Sequence, residues 1–247
     1  MDCGMNLSNS CVLFKLFARP ATNPSFSFNQ KDKKSRLMSA HSRKTSQEPS
    51  TVCTQTQMQE PGPYSVEFQT MRTCKLGISR YPNFAYNAEG GRGRGIGTKN
   101  YRDKPDCIAV SFDLQTLYIP PLTSATTRFL GLPLPPFLRI DIVPELFQGT
   151  IDEKTGQVDL EFKAKFLFSI GTIYRAPPLI VKTVLTSEES KGKIKRGKGK
   201  RLDKEGNCGL IGVATLDTID DTFMNSFLNL PTECLAAINA KITVVAG

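Results

Sequence analysis

Histidine is the side chain that most often moves protons or holds a transition metal near neutral pH. This chain of 247 residues has one, His41. It lies in a serine-rich basic stretch at the N-terminus, so the chain from residue 57 onward carries no imidazole. Ser-His-Asp and Cys-His nucleophile arrangements and HExxH zinc sites are therefore excluded there. The later cysteines, Cys74, Cys107, Cys208 and Cys234, stand 33, 101 and 26 residues apart without a CxxC pair. That spacing fits neither a structural zinc site nor an iron–sulfur cluster, and it reads as small core residues in a reducing compartment. Paired acids occur at Asp152-Glu153, Glu188-Glu189 and Asp220-Asp221, each beside a turn or helix start where solvation or capping accounts for them. Asp113 and Asp141 lie on strand-like segments with no evident partner. No catalytic residue, metal set or cofactor is assigned.

Two runs could contact polyanions. Glu89–Lys99 is rich in glycine, with Arg92 and Arg94 interleaved and Tyr86, Tyr101 and Arg102 nearby. It matches neither a P-loop nor a dinucleotide fingerprint. It reads either as a mobile surface loop between strands or as an RGG-like contact for nucleic acid. The second run, Lys191–Lys204, holds Lys191, Lys193, Lys195, Arg196, Lys198, Lys200, Arg201 and Lys204 against Asp203 alone, +7 in fourteen residues. Its glycines and lack of aromatics predict a flexible basic loop, 187–206, with non-specific affinity for RNA or anionic lipid.

The elements between these runs are mostly of period two. Val158–Phe168 sets Val158, Leu160, Phe162, Ala164, Phe166 and Phe168 on one face and Asp159, Glu161, Lys163 and Lys165 on the other, as in a half-buried antiparallel strand. After Ala164 both faces are apolar, so the second must be covered by a helix, a partner or a membrane. A strand from Ser65 to Ile78, broken at Arg72, is predicted, with others at Asp106–Tyr118, Leu179–Leu185 and Gly209–Leu216. Leu138–Val143 and Leu146–Ile151 read as separate pieces across Pro144, the latter joined to Val158–Phe168 by a Gly156-ended hairpin loop. Asp220/Asp221 caps a helical turn bearing Phe223, Met224, Phe227 and Leu228; a second helix is expected from Pro231 to about Asn239, followed by a short strand at Ile242–Ala246. The fold class is thus mainly β, a β-rich α+β domain. It is an antiparallel curved sheet or small barrel with one or two C-terminal helices. Inward aromatics Phe68, Phe112, Phe162, Phe166 and Phe168 either fill the core or line a pocket for a lipid or pigment.

The first 56 residues hold eight Lys/Arg against three acids, +5, which leaves +4 of the chain's +9 for the rest. Without the Lys191–Lys204 run that body is about −3, so its positive charge is local. A serine-rich, basic, acid-poor segment resembles a plastid transit peptide more than a mitochondrial one; the ordinary alternative is a disordered tail. The expected organisation is transit segment 1–56, linker 57–64 and a single β-rich domain 65–247.

These observations lead first to a non-enzymatic chloroplast protein on the stromal side. It is peripheral to the thylakoid or envelope, bound to an anionic membrane surface or a thylakoid protein complex, and possibly a holder of a hydrophobic small molecule. Contacts would come from Arg92, Arg94, Lys193, Lys195, Arg196, Lys198, Lys200 and Arg201, with the Pro-bounded apolar segment Phe129–Leu138 as a second weak anchor. That segment also reads as a buried connection across the sheet end. The alternatives are an RNA-associated plastid factor using the same basic runs and an enzyme on a barrel scaffold with a carboxylate or lysine base.

Overall fold

The computed structural model describes residues 63–99 and 106–247, within a compact unit Gln57–Gly247. The transit-like segment 1–56, most of the 57–64 linker, His41, Tyr101 and Arg102 lie outside the described residues. Fifteen strands follow in chain order: β1 (Tyr64–Thr70), β2 (Cys74–Ile78), β3 (Phe84–Tyr86), β4 (Arg92–Lys99), β5 (Cys107–Phe112), β6 (Thr127–Phe129), β7 (Leu132–Pro133), β8 (Leu138–Asp152), β9 (Val158–Ile170), β10 (Tyr174–Arg175), β11 (Leu179–Thr186), β12 (Glu189–Lys191), β13 (Arg196–Lys198), β14 (Asn207–Leu216) and β15 (Thr232–Ala246). The protein is mainly β, with one helix among the described residues, Thr222–Leu228, near the C-terminus.

Thirteen strands form a single antiparallel sheet that closes on itself. The ring runs β1-β4-β5-β8-β9-β11-β14-β15 and returns to β1 through pairs from Tyr64↔Ala246 to Thr70↔Ala240. Closure removes the exposed edges that an open sheet would offer to other chains. A flap, β2-β3-β6-β7, continues from the other half of β15, with Cys234↔Ile78 through Ala237↔Lys75. The strand expected over Ser65–Ile78 is therefore two strands lying end to end on one edge of β15, parted at Met71–Thr73.

Local chemistry explains where the chain follows the period and where it departs. β9 carries the expected alternation, with Val158, Leu160, Ala164 and Phe168 buried. β8 is one strand rather than two pieces. Its register slips between Pro144 and Leu146, and this bulge absorbs the proline that cannot donate to a ladder. The extra residue, Glu145, turns outward onto Lys163 and Lys165 at 2.9 and 2.6 Å. The glycine-rich run is not a loop but β4, paired on both sides. A Cβ on inward Gly95 would sit 3.0 Å from the Phe112 ring, and one on Gly97 would sit 2.7 Å from Ile108 Cγ2, so glycine there lets neighbouring strands fill the interior.

The helix expected from Pro231 to Asn239 is absent; Thr232–Ala246 is one long strand. Leu235, Ala236 and Ala237 favour helix locally, but β14 hydrogen-bonds to one edge of the strand and β1 and β2 to the other, and this tertiary pairing prevails. The helix capped by Asp221 forms as expected, Asp221 accepting from the Met224 N–H at 2.8 Å, and Asn229 closes it in the left-handed conformation.

The core has two storeys. Towards the β8–β9 turn, Val66, Phe68, Ile108, Val110, Phe112, Phe147, Ile151, Val158, Leu160, Leu210 and Ile242 are buried together. Towards the other end, Cys74, Tyr86, Leu122 and Leu134 are buried in one cluster and Leu179, Val181, Ala214 and Leu216 in another, while Ile78, Phe84, Phe129, Leu138, Ile140, Ile142 and Phe166, packed against them, stay half-buried.

Candidate functional site

Of the five aromatic residues expected inside, the fold divides three from two. Phe68, Phe112 and Phe162 gather around Phe147, whose ring stacks on Phe112 at 4.5 Å and meets Phe68 and Phe162 edge-on at 5.1 and 5.9 Å. They form a packed floor and offer no room to a ligand. Phe147 belongs to the expected strand Leu146–Ile151, but the bulge hid its phase. Phe166 and Phe168 lie in the upper storey, which sequence reasoning did not otherwise outline.

The wall loosens as it rises. β11 and β14 share the ladder pair Thr186↔Ile211. Beyond it the Val213 backbone is satisfied by side chains, its N–H donating to Ser190 Oγ at 3.1 Å and its C=O accepting from Thr183 Oγ1 at 2.9 Å. On the far side β5 pairs with β8 from Gln148 to Asp152, and the upper part of β8 is met instead by an isolated bridge, Leu122↔Ile140. The barrel is thus closed and packed below, with fewer ladder pairs and more half-buried apolar side chains above.

A helix lies at the rim of that upper end. Phe227 approaches Phe168 at 6.4 Å, and Phe223 meets Tyr174 edge-on at 5.5 Å. Two tyrosine hydroxyls hold it from different parts of the rim. Tyr174 donates to the Asp221 carboxylate at 2.6 Å, and Tyr81, in the β2–β3 turn, donates to the Phe227 carbonyl at 2.9 Å. Burial, then the Asp221 hydrogen bond, pushes the Tyr174 hydroxyl well above its ordinary value. This helix packs on the inward face of β9 at Phe168, whereas the second face, at Leu167, is half-buried without it.

The basic segment 187–206 is a structured hairpin, not an irregular loop. β12 and β13 pair through Glu189↔Lys198, Ser190↔Gly197 and Lys191↔Arg196, and Gly197 packs against Ile211 on the outer wall. Its tip is held by a single carboxylate. Glu233, buried at the start of β15, accepts from the N–H groups of Lys193, Ile194 and Lys195 at 2.6, 2.7 and 2.9 Å. These three donors, with Lys195 contributing most, hold Glu233 below the ordinary carboxylate range. Lys195 Nζ reaches the Tyr81 carbonyl at 3.3 Å, so the tip points to the same rim as the helix. Arg201 pairs with Glu188 at 2.5 Å and Lys200 with Asp203 at 3.6 Å. Lys193, Arg196 and Lys198 are exposed and have no ion-pair partner among the described residues.

The other basic candidates are elsewhere. Arg92 and Arg94 point outward from β4, with β1 and β15 between them and the hairpin strand β14. Arg94 pairs with Glu67 at 3.3 Å. Arg92 and Lys241 line a notch of about 600 Å³ beside the Arg72–Glu89 pair. Tyr86 is buried and donates to the Pro120 carbonyl at 2.5 Å, so it is not free to stack on a base.

Nor are the carboxylates assembled for catalysis. Asp113 closes a turn by accepting from the Gln115 N–H at 2.9 Å, whereas Asp141 binds Arg139 on the outer wall. Burial pushes the Cys208 thiol up to about 12 and Cys234 up to about 11, which keeps both protonated and poorly nucleophilic. Among the described residues no helix is long and apolar enough to cross a membrane. Comparison with protein families, with curated proteins and with solved structures gives no match for this chain.

Proposed function

We propose that this is a non-enzymatic plastid protein that holds a lipid or other hydrophobic molecule in its upper storey while associated with an anionic membrane surface or a thylakoid complex. One observation carries the reading: at one end of the closed barrel the inward side chains are buried in a single ring-packed cluster, while at the other Ile78, Ile140, Ile142 and Phe166 stay half-buried and apolar. A barrel that needed only stability would gain by filling both ends, because each fully buried large apolar side chain contributes about 1.5–3 kcal/mol. These half-buried apolar side chains offer the kind of surface that a hydrophobic ligand covers.

The basic hairpin supports the membrane part. Its unpaired cations supply roughly 1 kcal/mol each near an anionic lipid surface, and their tip reaches the mouth of the barrel. It holds no aromatic side chain between Glu189 and Lys198, which leaves RNA contact to the phosphate backbone alone. The test is isolation of the full chain from plastids, followed by mass spectrometry of what it retains. A molecule with a hydrocarbon portion, in near-equal amount to the protein, is expected. An apolar-empty preparation that also refuses a fluorescent fatty acid would overturn the ligand reading, and co-purified RNA with a steep salt dependence would replace it.

A further inference from the structure

Four strand ends at the mouth expose large apolar side chains. Leu130 and Leu132 top the β6–β7 turn, Phe137 precedes β8 and Ile173 precedes β10; they are 71%, 65%, 79% and 92% exposed. Antiparallel pairing puts Phe137 and Ile173 at the open end, since β8 starts where β9 stops, with Leu138↔Ile170, and Gly171 N–H donates to the Phe137 carbonyl at 2.9 Å; β6 runs the same way, from Arg128 level with Ala85, Lys75 and Ala237 towards the Cys234 end of β15. Leu130 and Phe137 have φ of 51° and 71°. Bulky residues rarely take this left-handed conformation, so the fold holds these two apolar side chains outward at a cost to stability.

Each turn tip also stands two residues from an exposed arginine: Leu130 from Arg128, Phe137 from Arg139 and Ile173 from Arg175. Arg139 and Arg175 share one cross-strand row on either side of Ser169. Two residues of extended chain span about 7 Å. Side chains inserted at a bilayer interface reach about 5–10 Å below the headgroups. The spacing therefore sets the guanidiniums of Arg128 and Arg175 at phosphate level when the apolar tips reach the acyl chains, with Arg139 beside them paired to Asp141. On the barrel wall, exposed Ile96 is also two residues from an arginine, Arg94, but it lies mid-strand rather than at a turn tip, and Ile180 stands beside Lys165.

We infer that the barrel docks mouth-first on an anionic bilayer, with Leu130, Leu132, Phe137 and Ile173 inserted among the acyl chains and Arg128 and Arg175 on lipid phosphates. The inference deepens the proposed function by giving the barrel an orientation: its apolar storey faces the lipid from which its occupant would come. The basic hairpin, whose tip is at the same end, adds long-range attraction.

The chain contains no tryptophan, so single substitutions report position without background. Phe137→Trp and Ile173→Trp at the mouth, Ile96→Trp on the wall and Lys154→Trp at the opposite end are each mixed, in the full chain, with phosphatidylcholine vesicles containing or lacking phosphatidylglycerol and brominated acyl chains. The two mouth tryptophans shift to the blue and are quenched by the bromine only with the anionic lipid, while the wall and far-end probes stay unchanged. Phe137→Asp with Leu132→Asp, both on exposed positions that leave the circular dichroism unaltered, lowers the vesicle partition coefficient about tenfold or more. Quenching of the wall or far-end probe instead, no quenching anywhere, or mouth protection through self-association without vesicles overturns mouth-first docking. Uptake of a fluorescent fatty acid in vesicle-free buffer reads the ligand site separately, so loss of docking with retained uptake sinks this inference alone.

Discussion

Phe147 and Phe166 allow the two-storey barrel to be tested by one substitution made twice. Phe147 is 3% exposed and touches three other rings, at 4.5, 5.1 and 5.9 Å. Truncating such a side chain to alanine costs about 3–5 kcal/mol through lost transfer energy and the sealed void left behind. Three aromatic contacts, each worth about 0.5–1.5 kcal/mol beyond area, put Phe147→Ala near the upper end, about 4–5 kcal/mol. Phe166 is half-buried in the upper storey. Its truncation seals no cavity and loses only part of its transfer term, about 1–2 kcal/mol. Urea unfolding followed by circular dichroism measures both. With a slope of about 2 kcal/mol per M, Phe147→Ala moves the midpoint down by about 2 M and Phe166→Ala by less than about 1 M. Affinity for a fluorescent fatty acid falls for Phe166→Ala. Equal losses of stability for the two variants would refute the division into a packed floor and a looser upper storey.

Three other outcomes follow from the side chains already described. Glu233→Gln removes the charge that gathers the hairpin tip, so hydrogen exchange of the Lys193, Ile194 and Lys195 amides speeds up while β14 amides keep their protection. In the native protein the same release occurs on acidification: with the folded-state carboxylate held below its ordinary value, the clamp contributes fully above the ordinary carboxylate range and is lost as pH falls through the lowered value. Normalised to the intrinsic exchange rate at each pH, protection of the tip amides is high at neutral pH and is lost in acid. At pH 8 Cys208 and Cys234 are expected to resist iodoacetamide until denaturant is added, as peptide mapping against the unfolded chain would show, since burial leaves roughly one thiol in a thousand or fewer ionised.

Much of the barrel was legible because period-two patterning reports a half-buried strand whatever its partners. Val158–Phe168 is the plainest instance, and the helix announced by Asp221 is another. The failures share a physical origin. Leu235-Ala236-Ala237 has helical propensity, and only pairing on both edges by strands distant in sequence makes it a strand. Gly93, Gly95 and Gly97 resemble a loop because the side chains that fill their places belong to Phe112, Leu117 and Ile108 on neighbouring segments. The basic run between Lys191 and Lys204 resembled solvated chain because its restraint is one carboxylate about forty residues away, Glu233. The candidate site was legible in part. Inward aromatic residues were identified, but the division between floor and mouth depends on where the wall loosens, which no single strand encodes. Ile173 carried a signal that spacing could have supplied, an apolar residue two positions from arginine in a turn, repeated at Leu130 and Phe137.

The account turns on whether the upper storey accepts an apolar guest. Ile142 faces that storey, opposite Phe166 on β9, and is half-buried. Titration of a fluorescent long-chain fatty acid into the full chain compares wild type with Ile142→Glu, which sets a charge on the inner wall and leaves the floor untouched. Moving about a dozen methylenes out of water supplies about 10 kcal/mol gross, enough for micromolar affinity after the cost of association. Saturable one-to-one binding by the wild type, abolished in Ile142→Glu with its circular dichroism unchanged, is the predicted result. Absence of binding by the wild type, or equal binding by both proteins, would contradict the account.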